Sequence, residues 1–145
     1  MISRPELVSD CHDEDMRQFF GAYADALQSR DPRCVMRFLD VPIIIRRAHA
    51  TQFIRDREEL QSYQTELFDQ YDRAGMARLE HRFIRGRKHG ATSASVALVW
   101  TLIDTEGART ELAEVGYTLE CIEEAWRIVA IDLALRDHRT KELDW

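Results

Sequence analysis

Trp126-Arg-Ile-Val-Ala-Ile-Asp132 closes a run of four stretches in which side-chain character alternates with a period of two. Leu79, His81 and Phe83 alternate with Glu80, Arg82 and Ile84. Val96, Leu98, Trp100 and Leu102 alternate with Ser95, Ala97, Val99 and Thr101, and Val115, Tyr117, Leu119 and Cys121 follow. Successive strand residues point to opposite faces, so this period predicts strands. Gly90, Glu106-Gly107 and Glu123-Glu124-Ala125 separate the stretches by no more than hairpin turns. The second half is therefore expected to be a long antiparallel sheet.

Upstream of Met76 the period changes. Met16, Phe19, Phe20, Tyr23, Ala24 and Leu27 recur at three- and four-residue steps, which predicts a helix from about Asp13 to Ser29. Asp31-Pro32 restarts a helix, with Asp as N-cap and Pro in the first turn, where its missing N–H costs nothing. Val35, Met36, Phe38 and Leu39 supply its apolar face. Pro42-Ile-Ile-Ile-Arg46 is β-branched and predicts a strand, with Thr51-Gln-Phe-Ile-Arg55 as its hairpin partner. Asp56 and Glu59 form a capping-box pattern for a third helix, whose apolar face carries Leu60, Tyr63, Leu67, Phe68 and Tyr71 and which Gly75 ends. Residues 1–12 are expected to be a loose arm, 13–134 one domain and 135–145 a polar tail in which Trp145 can dock.

At 145 residues, 45% hydrophobic and 32% charged, the chain is long enough for a real core and ordinary for a globular protein. The net charge of −6 argues against a nucleic-acid partner, which needs a basic face. The densest local basic groups are Arg46-Arg47 and Arg82, Arg85, Arg87 and Lys88. Cys11, Cys34 and Cys121 are odd in number and form no CxxC pair. They predict neither a disulfide framework nor a zinc site, and a reducing cytoplasm is expected. No apolar run approaches the ~20 residues of a membrane helix, and no secretory leader is visible, so no membrane association is expected. His12, His49, His81, His89 and His138 show no HxxxH, HxH or HExxH spacing, so no metal or other cofactor is expected.

Helix, short helix, strand pair, long helix and four strands is an order that resembles the NTF2-like superfamily and its SnoaL-like branch, over roughly residues 13–134. Tyr23-Ala-Asp-Ala-Leu-Gln-Ser-Arg-Asp31 leading into Phe38, and the closing stretch Trp126–Asp132, carry the resemblance. It implies an α+β fold, an NTF2-like cone in which a curved antiparallel sheet packs against three N-terminal helices. It also implies a cavity between sheet and helices, and often a homodimer. The strand Ser93–Ile103, neither of whose faces is strongly polar, independently points to a self-associating sheet face.

Through this resemblance Tyr23 matches a phenol that donates to an oxyanion in ketosteroid-isomerase-like members; it equally serves as one residue of a core stripe. The carboxylate base of that branch falls near Arg46, which takes no proton at neutral pH, and its second acid falls near Gly116-Tyr117. A close isomerase equivalent is therefore not expected. Asp132, read by alternation as sharing a face with Ile128 and Ala130, is the candidate acid/base; it also suits an arginine pair at a strand end. His81, between Leu79 and Phe83, is the candidate relay, or else a satisfied core histidine. Glu80, Arg82 and Asp132 invite comparison with limonene-epoxide-hydrolase-like members, but Glu80 and Arg82 share the face opposite His81, and His81 has the apolar neighbours. The cavity lining is expected from Phe20, Phe38, Arg46, Phe53, Tyr63, Trp100 and Tyr117. An inward Arg46 suits a carboxylate or phosphate, and an outward one is a solvated charge.

Two functions stay open at this point. One is a cofactor-independent enzyme doing acid/base chemistry on a small apolar or carbonyl-bearing molecule, with Asp132, His81 and Tyr23 meeting across a cavity. The other is a non-catalytic dimeric module that binds a small apolar molecule or a protein. An accessory subunit of a larger enzyme ranks below both.

Overall fold

Asp31 accepts a hydrogen bond from the Arg33 N–H, and Asp56 accepts one at 2.9 Å from the Glu59 N–H, so both expected caps form. They start α2 (Pro32–Met36) and α3 (Arg57–Arg73). The Glu59 carboxylate reaches back to the Arg55 N–H at 2.7 Å, one residue before the cap. Gly75 leaves α3 with φ +72°, a conformation that costs glycine little. The protein is described by a computed structural model over residues 3–136, with side chains over 15–133. The tail from 137 on, with Trp145, lies outside the described residues.

α1 runs Ser3–Ser29, ten residues further towards the N-terminus than the expected arm allows. Pro5 falls in its first turn, where proline removes no intrahelical bond, so no residue there stops the helix. Met16, Phe20, Tyr23, Ala24 and Leu27 are buried along one stripe, as their spacing requires.

The strands are β1 (Leu39–Arg46), β2 (Thr51–Ile54), β3 (Met76–Lys88), β4 (Ser93–Asp104), β5 (Arg109–Ile122) and β6 (Ala125–Arg136). They form one sheet in the order β2-β1-β6-β5-β4-β3. All pairs are antiparallel except β1 with β6. The last strand thus sits inside the sheet, joining the hairpin of the first half to the meander of the second. Pro42 has no N–H to give, and the β1–β6 ladder is irregular between Leu39 and Ile44. The β5–β6 turn holds Glu123 and Glu124 at φ +52° and +69°, the backbone of a tight two-residue hairpin.

The helices cover one face of the sheet. The inner residues Val96, Leu98 and Trp100 of β4, Val115, Tyr117 and Leu119 of β5, and Ile43 and Ile45 of β1 are buried beneath them. Gln28 of α1 accepts from the Leu79 N–H at 3.0 Å and ties the helix to β3. On the outer face, Arg82 and Arg85 of β3 reach over β4 to Glu111 and Glu114 of β5, at 3.9 and 3.3 Å. These pairs span the small side chains of β4, and Val99 and Ala97 beneath them are buried. The smooth outer face of β4 is thereby partly covered from within the chain.

Candidate functional site

Register decides which candidates meet. Directly opposed residues of neighbouring strands share a face. Tyr117 opposes Val96 on one side and Ile131 on the other, all of them inner. Gly116 opposes Asp132, and Thr118 opposes Ala130, on the outer face. Leu119, one residue on, opposes Ile128, so Val129 is an extra residue in β6. This β-bulge reverses the parity of the strand. Ile128 and Ile131 are both inner and buried, while Asp132 and Ala130 are outer. The expectation that Asp132 shares a face with Ile128 is thus corrected.

Tyr23 and His81 lie on the helix side, and the sheet separates them from Asp132. The Asp132 carboxylate, 33% exposed, meets Arg46 at 3.7 Å, its register partner across the parallel pair. Arg46 is therefore outer and solvated, and does not line the interior. Phe53 opposes Ile44, which opposes Ala130, so it too is outer, and it is 60% exposed. Glu80, also outer, is held by Arg78 and Arg109 at 2.8 Å each, and the Arg109 hydrogen bond leads in keeping its pKa below the usual value.

The remaining aromatic candidates do come together. The rings of Phe20 and Tyr117 lie 4.9 Å apart, those of Tyr23 and Phe38 5.8 Å, and those of Tyr23 and Trp100 6.3 Å. Trp100 donates its indole N–H to the Tyr117 hydroxyl at 2.9 Å. Phe38 and Tyr63 are half-buried at the margin of this group. Burial pushes Tyr23, Tyr71 and Tyr117 well above the ordinary phenol value, and neighbouring phenols, Tyr63 among them in each case, add to the rise. These groups stay neutral at physiological pH and can donate and accept hydrogen bonds. The His81 ring lies 5.4 Å from that of Trp100, tilted by 46°; burial lowers its pKa, and the charge of Asp25 partly opposes that.

One residue of this interior escaped the sequence reading. Gln64 is 0% exposed within the buried face Leu60, Gln64, Leu67, Phe68 and Tyr71 of α3. Neither its Nε2 nor its Oε1 has a hydrogen-bond partner among the described residues. Leaving buried polar groups unmatched costs about 1–3 kcal/mol each. The signal was present as a polar residue four positions after Leu60 and seven before Tyr71, in register with the apolar stripe.

The outer face carries a cleft of about 610 Å³, lined by Arg85, Arg87, Ser95, Ala97, Gly116, Thr118 and Asp132 among others. His89 pairs with Ser95 at 2.7 Å at one end of it. Among the described residues, no three His, Cys, Asp or Glu side chains group as a metal site. Cys34 and Cys121 are free thiols, and no described helix is long and apolar enough to cross a membrane.

Residues 13–134 match the family described as NTF2-like protein (DUF6841), and the chain belongs to that family. Its fold is similar to that of an NTF2-like protein of unknown function from Shewanella oneidensis, at 15% identity and a TM-score of 0.67, covering 83% of this chain and 96% of that one. A cystatin-like-fold protein of unknown function from Nostoc punctiforme matches at 14% identity and a TM-score of 0.68, covering 90% and 95%. Aln2 from a Streptomyces species matches at 16% identity and a TM-score of 0.63, covering 81% and 85%. No curated protein matches in sequence. At these identities the structural likeness is one of fold.

Proposed function

We propose that this NTF2-like protein is a non-catalytic small-molecule-binding module that receives its ligand between α1, α3 and the inner sheet face. The observation that carries this reading is the bulge at Val129, which leaves Asp132 on the outer side of the sheet. Without that carboxylate the interior offers phenols, an indole and a primary amide, which orient a ligand by hydrogen bonds, together with the half-buried His81, which is left without the Asp132 partner that a proton relay needs. An apolar wall with a few convergent polar groups is the ordinary composition of a ligand site. Tyr23, Tyr117, Trp100, Phe20, Phe38 and Tyr63 are the residues we assign to it. The free thiols suit a reducing compartment, and we assign the protein to the cytoplasm on that ground.

The test pairs binding with turnover. Neutral carbonyl compounds are titrated against tryptophan fluorescence, and exchange of their α-protons is followed in D₂O. Saturable quenching that is lost in Trp100→Phe, without exchange, is the expected result. Exchange that disappears in Asp132→Asn would sink the non-catalytic reading and restore the acid/base one.

We assign the outer sheet face to a second copy of the chain. Ile44 and Phe53, 41% and 60% exposed, stand together at one side of that face, and the cleft floored by Ala97 and Gly116 lies at the other. A two-fold axis brings each protomer's apolar pair to its partner's cleft, an arrangement that a self-complementary interface needs. Sedimentation should give a dimer for the native chain and a monomer for Phe53→Arg. A native monomer at 100 μM, on the order of the loosest specific homodimers, would overturn the assignment.

A further inference from the structure

Gln64 stands in the middle of α3, where its neighbours on the buried face are leucine, phenylalanine and tyrosine. Seven residues on a helix return to within about 20° of the starting direction, so Gln64 and Tyr71 project the same way. Tyr63 adjoins it in sequence and is half-buried, reaching from the surface toward the phenol cluster. A primary amide has two donor hydrogens and a carbonyl with two lone pairs. Both ends of this one are buried and unmatched among the described residues. Leucine or methionine would fill that place in the stripe without the standing penalty. A polar group held so in a core calls for a partner that the described residues do not supply.

The chemistry of that partner follows from the surroundings. The phenols around the site are neutral. Arg30 is the charged group nearest Tyr71 in effect; its terminal nitrogens are engaged by the Met76 carbonyl at 2.6 Å and by Asp72 at 3.3 Å, which opposes its charge, while its Nε is buried and unmatched among the described residues. A charged ligand would find no unopposed counter-charge there. We propose that Gln64 is the polar anchor of the interior site, and that its ligand is a neutral molecule with a donor and an acceptor on adjacent atoms. A lactam, a carboxamide or a protonated carboxyl group has that edge and forms a two-bond ring with the glutamine amide. The ligand enters beside Tyr63, and its apolar body rests on Phe20, Tyr23 and Trp100. This inference rests on the interior-binding reading above and adds to it the residue and the ligand class.

Three probes separate the two. 2-Quinolone carries the lactam edge, N-methyl-2-quinolone lacks the donor, and naphthalene lacks both groups. Calorimetric titration of the full chain should show 2-quinolone binding about tenfold more tightly than its N-methyl derivative, the worth of roughly one well-placed hydrogen bond. Gln64→Leu should abolish that preference, keep the affinity for naphthalene, and raise Tm by about 3 °C as the unmatched amide is removed. Gln64→Met serves as a second variant should leucine's branching disturb the stripe. If the native chain binds all three probes equally, interior binding stands and the Gln64 anchor falls. If none of the three binds, the interior-binding reading falls with it. If Gln64→Leu and Gln64→Met both lower Tm and leave the lactam preference intact, an ordered water satisfies the amide and the assignment is overturned.

Discussion

The two faces of the sheet are built on opposite rules. The inner face buries large apolar and aromatic side chains under the helices, and its polar atoms are neutral. The outer face is spanned by ion pairs, Arg82–Glu111, Arg85–Glu114, Arg46–Asp132 and Glu80 with Arg78 and Arg109, over a floor of small residues. Acids and bases of this domain are thus concentrated where water reaches them. Hydrogen-bonding groups without charge are concentrated beneath the helices. Catalysis by proton transfer needs an acid and a base at the same reacting atoms, and the sheet parts His81 from Asp132, which is what argues for binding.

The strongest way to break this division is to insert one alanine between Ala130 and Ile131. With the ladder before it held, the parity of β6 beyond the insertion reverses, turning Asp132 inward and Ile131 and Leu133 outward. Two aliphatic side chains at roughly 1.5–3 kcal/mol each set the scale, so a loss above about 3 kcal/mol is expected in urea unfolding. Unchanged stability would mean that a second bulge absorbs the insertion and that pairing with β5, not the count along β6, holds the faces. Trp100→Ala opens the centre of the inner face, where Trp100 is fully buried. A loss of about 3–5 kcal/mol is expected, measured the same way.

His81 lies half-buried on the inner side of the edge strand β3, and pH sharpens its role. Its folded pKa lies below the ordinary 6.5, chiefly through burial. The unfolded chain therefore takes up the proton first as pH falls. The stability tied to this group is full above about 6.5 and declines as pH drops through that value toward the folded pKa. Urea midpoints from pH 8 to pH 5 should fall in the native chain, and the fall should be smaller in His81→Gln. An equal slope in both would assign the decline to other groups. The smallest effect belongs to the outer face. Arg82 and Glu111 are exposed and 3.9 Å apart, so Arg82→Ala should cost below about 1 kcal/mol and less still at high salt. A larger, salt-independent loss would show that its aliphatic stem, lying over Val99, matters more than its charge.

The candidate site was partly legible. Phe20, Tyr23, Trp100 and Tyr117 converge as their periodicities implied, because helix stripes and strand alternation are local properties. Arg46, Phe53 and Asp132 went astray for a common reason. Each was read by counting along its own strand or from a resemblance, whereas its face is set by the register with a neighbour. Counting through Val129 without the bulge carries Asp132 to the wrong side of the sheet. Gln64 was missed because a polar residue in a predicted helix defaults to the solvent face, and only packing against α2 and the sheet shows that it is enclosed.

By itself the sequence determined the three helices, the caps at Asp31 and Asp56, the turn glycines and the order of strands, since each rests on interactions within a few residues. Tertiary structure alone decided that β6 enters between β1 and β5, that Asp132 answers Arg46 outside while Tyr23 meets Tyr117 inside, and that Gln64 is closed off from water. Those outcomes depend on residues far apart in the chain, and one extra residue in a strand is enough to exchange what is buried for what is exposed.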